Sequence, residues 1–376
     1  METSKETVQH RGLTTALAVL LLLVFFARGA AAIPRLSLTA DEPAFVGPGL
    51  AYLQTGDLRL ETQAAHPPLL FVLTAAPLLL QPVPDVTALP GWAEADLATF
   101  SRAFVDAIAN SLPAATFAAR LPVLLMALVG AGLVFRWAAD YSGAWAGLAA
   151  LALFTLDPNV LAHATLATTD VGLAVFGFAA AYLMLRLLRR RSAGLYVAAG
   201  VALGLTLGAK SSGAFAAVML PAVYGVARGF RRDGPPGRLY TCFAEAAGLA
   251  GLASLVLWAL YGFEVRPVAG LGGLPLPFAT QWETWLGVRT HAQEGHTAFL
   301  MGEISARGWL AYYPLAFVLK TPLPLLALLG AAAARFLRAG PRRWAAEMPA
   351  WLYPAAYAGV TLFGTIAIGY RFLLVV

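Results

Sequence analysis

Ten stretches of this 376-residue chain are predominantly apolar: 13–33, 66–81, 117–137, 144–163, 170–188, 194–209, 210–227, 241–262, 309–334 and 349–369. About 20 residues of helix cross the hydrocarbon of a bilayer. The pattern therefore predicts an all-α, polytopic membrane protein. The shortest stretch, 66–81, starts with Pro67-Pro68 and ends near Pro82 and Pro84. It is expected to lie in the interface or to re-enter.

Charge sets the sidedness. Arginine-rich connections are expected on the cytoplasmic side. Three are clear, from Arg186 to Arg191, from Arg228 to Arg238 and from Arg335 to Arg343, and the Arg136–Asp140 turn agrees. With Met1–Arg11 cytoplasmic, Asp41 lies outside, and so does Asp170, because 170–188 must enter from outside to end at Arg189-Arg190-Arg191. An even number of crossings must separate the two. If 66–81 does not cross, nine full crossings satisfy every arginine cluster. The expected organisation is one transmembrane domain over 1–376, with a first external loop at 34–116 that carries interfacial helices and a second at 263–308.

Composition narrows the picture further. Charged residues make up 12% of the chain and hydrophobic ones 59%, where a soluble domain has about 25% charged. The net charge of +6 comes mainly from arginines between apolar runs, which read as topology signals and not as a nucleic-acid surface. The single cysteine, Cys242, excludes an intrachain disulfide. Lys5 and Arg11, the apolar Leu13–Phe26 and Ala30-Ala31-Ala32 resemble a signal peptide, but Glu2, Glu6 and the many later runs favour an uncleaved first helix. Gly200, Gly204 and Gly208 recur every four residues and predict a bare helix face for a close neighbour.

The unusual polar residues gather on the expected outer face. Asp41-Glu42-Pro43 is a paired acid just past the first span. It can take a proton or hold a cation, or Asp41 can simply cap a helix that has Pro43 in its first turn. His66 follows after a polar linker. Lys320, in Lys320-Thr321-Pro322-Leu323-Pro324, sits in an apolar run just before two helix-breaking prolines. Lys210 lies between two runs, and Arg371 follows the last. Three cations near one face suit a phosphate or diphosphate, with snorkelling to lipid headgroups as the plainer reading. Asp170 either joins His163 in a polar cluster or caps the helix it begins. His291, His296, Glu283 and Glu294 match no common zinc spacing, so no metal ligands are assigned.

The ordered set Asp41-Glu42-Pro43, Tyr52-Leu53-Gln54-Thr55-Gly56-Asp57, His66-Pro67-Pro68-Leu69, Ala119-Arg120-Leu121-Pro122, Leu156-Asp157-Pro158-Asn159, Thr168-Thr169-Asp170, Lys320-Thr321-Pro322 and Ile368-Gly369-Tyr370-Arg371 spans nearly the whole chain. It resembles the protein O-mannosyltransferase and aminoarabinose-transferase families of the glycosyltransferase C superfamily. The resemblance implies a polyprenyl-phosphate-linked sugar donor, an acceptor that is a protein, lipid or glycan, and inverting transfer on the non-cytoplasmic face of the cell membrane. It makes Asp41 the general base and Glu42 its acidic partner. It places His66, Arg120, Asp170, Lys210, Lys320, Tyr370 and Arg371 at the donor phosphate or substrate. No cofactor is certain, and a divalent cation is left open. Two departures stand out. Phe45 occupies a position that is His or Tyr in many relatives, and the chain stops soon after Arg371, where relatives continue through further helices. A transporter or flippase using Lys320 and its broken helix, and a non-catalytic carrier-binding subunit, are the competing readings.

Overall fold

The computed structural model describes residues 2–229, 238–364, 366, 367 and 369–375. The middle of the Arg228-to-Arg238 cluster and Ile368 lie outside the described residues, as do the side chains of residues 2–11 and of His291.

The chain is a string of helices. The first is α1 (Glu2–Ala32). The stretch 34–116 then folds into α2 (Glu42–Thr55), α3 (Glu61–Ala64), α4 (Leu69–Ala75) and α5 (Leu97–Ala107). The long α6 (Leu112–Ser142) is followed by α7 (Ala144–Leu156), α8 (Pro158–Ala164), α9 (Asp170–Arg189), α10 (Ala193–Ala209), α11 (Gly213–Gly229) and α12 (Arg238–Leu260). The segment 263–308 contains the hairpin β1 (Val265–Val268) and β2 (Leu274–Pro277), then α13 (Ala279–Glu294), then the hairpin β3 (Ala298–Leu300) and β4 (Glu303–Ser305). Both hairpins are antiparallel, with Val265 opposite Pro277 and Ala298 opposite Ser305. Helices α14 (Tyr312–Lys320), α15 (Leu323–Ala339) and α16 (Pro341–Leu362) follow, and a 3₁₀ turn at Tyr370–Val375 closes the described chain.

Among the described residues, four helices are long and apolar enough to cross a membrane, those at 12–35, 109–142, 170–189 and 240–260. Two bent pairs raise the number to six if each is one span: α7 with α8, bent by 62°, and α14 with α15, bent by 117°. This makes a helical membrane protein, with fewer full-length spans than the nine drawn from the charge pattern. Both breaks follow local chemistry. At the first, Asp157 caps α8 by accepting from the Asn159 and Val160 amides at 2.7 and 3.1 Å, and Pro158 fills the first helical position. At the second, Thr321 is extended and Pro322 starts the next helix, as the proline pair predicts. The stretch 66–81 forms only short helical turns and reaches no spanning length.

Helix α10 is at the centre, packed between α9 and α12. A Cβ on Gly200, Gly204 or Gly208 would stand 2.7, 2.4 or 2.3 Å from Leu252, Val256 or Leu260 of α12. Only bare backbone lets the two helices come this close, so the four-residue glycine spacing is the packing surface itself.

Candidate active site at one end of the bundle

The first carboxylate of the paired acid follows the chain into α2 without capping it. Asp41 occupies the N-cap position but makes no capping bond. Its Oδ2 instead takes the Arg371 Nη1 at 2.5 Å. The Asp41 side chain is 41% exposed and that of Arg371 24%. Arg371 Nε is buried and has no hydrogen-bond partner among the described residues. The base candidate is therefore reachable, and its cation keeps a spare donor beside it.

Glu42 does the opposite. It is 1% exposed and accepts from five donors: Thr39 N and Oγ1, Arg120 Nε and Nη2, and the Ala167 amide. Burial works against its charge. Arg120 and the Thr39 and Ala167 amides outweigh that and hold its pKa below the usual carboxylate value. Arg120 is fully buried and also donates to the carbonyls of Ile33, Leu36 and Ser37. Together the two residues fasten the 33–42 segment to α6 and to the turn before α9. With every lone pair engaged, Glu42 fixes the backbone that presents Asp41. The paired-acid motif thus divides into one reachable carboxylate and one anchor.

Asp170 begins α9, and its Oδ1 meets Lys210 Nζ at 2.5 Å, both side chains buried. The ammonium also lies over the Phe372 ring, 4.5 Å from its centre. The lysine is thus shut in between an anion and an aromatic face. His66 approaches from 34–116, and its Nδ1 is 2.6 Å from the Ala65 carbonyl, which Ser211 Oγ also reaches at 2.5 Å. Phe45 packs against the His66 ring at 5.6 Å and stacks on Phe71 at 5.0 Å. Phe45 is thus a wall of the histidine's pocket. Burial, then the nearby Lys210 charge, push His66 down to about 4, so its imidazole is neutral at neutral pH.

His163 is within electrostatic reach of Asp170, Arg371, Lys210 and Lys320, so these charges form one constellation. Lys320 is exposed at the end of α14 and pairs with no carboxylate among the described residues. Its carbonyl accepts from Asn159 Nδ2 at 2.9 Å, which ties the α14 break to the α8 cap. Tyr370 joins the same break, with its hydroxyl 3.0 Å from Thr321 Oγ1. Nearly every candidate from the sequence therefore converges here, either at the constellation or in the frame that holds it. Of the loop candidates at 283–296, Glu283 does not join. Glu283 is engaged by Arg266 at 2.6 Å, and no group of three His, Cys, Asp or Glu side chains stands together among the described residues. Sequence reasoning passed over Glu61, whose carboxylate is 1% exposed with both oxygens unpartnered. Burial, with Glu264 nearby, raises its pKa well above the usual value. A glutamate among polar neighbours carries no sign of burial in sequence.

Residues 102–258 match the family model of the dolichyl-phosphate-mannose-protein mannosyltransferases. The match covers α6–α11 in full, with Arg120, Asp170 and Lys210, and supports the resemblance to membrane glycosyltransferases of the glycosyltransferase C type. No curated protein and no solved structure matches the chain.

Proposed function

We propose that the chain is an inverting membrane glycosyltransferase that moves a sugar from a polyprenyl-phosphate carrier to an acceptor hydroxyl, with Asp41 as general base. The observation that carries this reading is the meeting of Asp41 with Arg371. A reachable carboxylate and a partly exposed cation stand side by side in a chain that resembles lipid-carrier glycosyltransferases.

The chemistry follows from that pairing. The acceptor oxygen forms a bond to the anomeric carbon while the bond from that carbon to the phosphate oxygen breaks. The acceptor proton goes to Asp41. The electron pair leaves on the carrier phosphate, whose growing charge Arg371 and the exposed Lys320 stabilise. One base suffices, because a phosphate monoester leaves without being protonated. Lys210 is held by Asp170 and Phe372, so it adds positive potential from behind rather than a direct contact. His66 is neutral and offers a hydrogen bond without a further charge. Tyr370 braces the α14 break against the segment that carries Arg371. Glu42 and Arg120 fix the loop beneath Asp41.

The outward sidedness and the nine crossings belong to the same proposal. They are supported by Arg189 lying at the opposite end of α9 from Asp170. For nine crossings, α10 and α11, each 17 residues long, must cross as short helices, and α16 must cross despite Pro349 and Pro354 inside it. The matched family's description names mannose, dolichyl phosphate and protein, which makes a polyprenyl-phosphate mannose the first donor to supply and protein the first acceptor to look for. The test is transfer of labelled sugar in membranes, comparing the unaltered chain with Asp41→Asn at matched expression. Transfer that disappears in the variant supports the reading, and full activity in Asp41→Asn defeats the role of Asp41.

A further inference from the structure

A cavity of about 1050 Å³ opens at the other end of the bundle, where α6, α7 and α9 face α15 and α16. Its floor is apolar and includes Val134, Phe178, Leu185 and Phe336, and Trp137 and Trp351 stand at its sides. Three arginines line it: Arg189, Arg335 and Arg343. Among the described residues, the only carboxylate in the lining is Glu347, which pairs with Arg343 at 2.7 Å. Arg189 lies over the Tyr141 ring at 5.8 Å, and Arg335 pairs with no carboxylate among the described residues. Two guanidinium groups therefore line a mostly apolar space without a paired carboxylate among the described residues.

The position separates this cavity from the candidate active site. Helix α9 carries Asp170 at one end and Arg189 at the other, 20 residues or about 30 Å apart, which matches the thickness of the hydrocarbon. A molecule held at Arg189 lies in the opposite leaflet from one held at Asp41. Basic pockets between membrane helices select anionic headgroups, and tryptophans flanking one suit the depth where headgroups meet acyl chains.

We propose that this cavity holds one anionic glycerophospholipid, with its phosphate between Arg189 and Arg335 and its acyl chains along the Val134–Phe178–Leu185 floor. The tails need the apolar floor and the uncompensated arginines need the phosphodiester, so a lipid with a net negative headgroup satisfies both. A zwitterionic lipid satisfies only the floor. The site is independent of the sugar-transfer reading and survives its failure.

The test is native mass spectrometry of the purified full chain, equilibrated with equal amounts of phosphatidylglycerol and phosphatidylcholine. One retained phosphatidylglycerol per chain, in clear excess over phosphatidylcholine, is expected. Replacing both arginines (Arg189→Gln with Arg335→Gln) should lower its retention about 30-fold, the effect of removing two cations near a headgroup. A control with the same loss of charge outside the cavity (Arg190→Gln with Arg338→Gln) should keep it. Equal retention of the two lipids, no retained lipid, or equal loss in the control would each overturn the proposal. The comparison of the two lipids on the unaltered chain needs no variant, so the result does not depend on either double variant folding.

Discussion

Arg120 Nε and Nη2 each stand 2.7 Å from one oxygen of Glu42, and neither side chain is more than 1% exposed. This two-pronged pair crosses from α6 to the first residue of α2. Its two charges are expensive to bury and more expensive to separate. Arg120→Met leaves the Glu42 carboxylate buried without its main partner and is expected to destabilise the protein by about 3–5 kcal/mol. Arg120→Lys keeps the charge but loses the fork and should fall between. Thermal unfolding in detergent, with the amount of folded protein recovered, checks both. Unaltered stability in Arg120→Met would contradict an anchoring role.

Asp41 and Arg371 are expected to affect different kinetic constants. Asp41→Asn should cut turnover by about 10²–10⁴-fold, the usual contribution of a general base, with donor affinity little changed. Arg371→Ala should weaken both donor binding and turnover, because the cation is needed by the bound phosphate and by the leaving phosphate. Initial rates at varied donor concentration separate the two effects. An unchanged donor KM in Arg371→Ala would remove that residue from the phosphate.

The α10–α12 contact gives a prediction about packing alone. In Gly204→Ala the new methyl would meet the Val256 Cβ at 2.4 Å and the Ala253 carbonyl at 2.9 Å. Neither is the far end of a flexible chain, so the helices must part, at a cost of about 1–3 kcal/mol. Gly132→Ala, where the same atom would meet nothing within 4 Å, is the control and should gain slightly in helix propensity. Melting temperatures of the two variants decide it.

His66 gives a prediction about pH. Its pKa falls from 6.5 to about 4 on folding, so between those values the unfolded chain binds a proton that the folded chain refuses. Stability from this group is fully present above pH 6.5 and is lost as the pH falls to 4, by about 3 kcal/mol at most. The carboxylates also lose stability in acid, so the comparison needs a variant. In His66→Gln the loss between pH 7 and pH 4.5 should be smaller than in the unaltered chain. An identical acid loss in the two proteins would show that the imidazole titrates freely in the folded state.

Periodic and local features were legible in the sequence. The glycine spacing marked the α10 face, the prolines after Lys320 marked the sharp break, and the short 66–81 stretch declared itself by its length. The unusual charges could each be singled out. Their pairings could not, because they are set by packing between distant segments: Glu42 with Arg120 at a separation of 78, Asp170 with Lys210 at 40. Nothing in Asp41-Glu42 says which carboxylate will be buried. That division arises because Arg120 and the Ala167 amide reach Glu42 while Arg371 reaches Asp41. Hydropathy alone reads 309–334 as one run, and only its prolines show the break, where the backbone turns by 117°.

The ion pair between Asp41 and Arg371 joins residues 330 positions apart. During synthesis, Asp41 emerges 330 residues ahead of Arg371 and stands without that cation until the later segment follows. A growing chain therefore presents the proposed base before it presents the group that stabilises a leaving phosphate. Competence to react waits on the arrival of Arg371, so the order of translation keeps the two halves of the proposed chemistry apart.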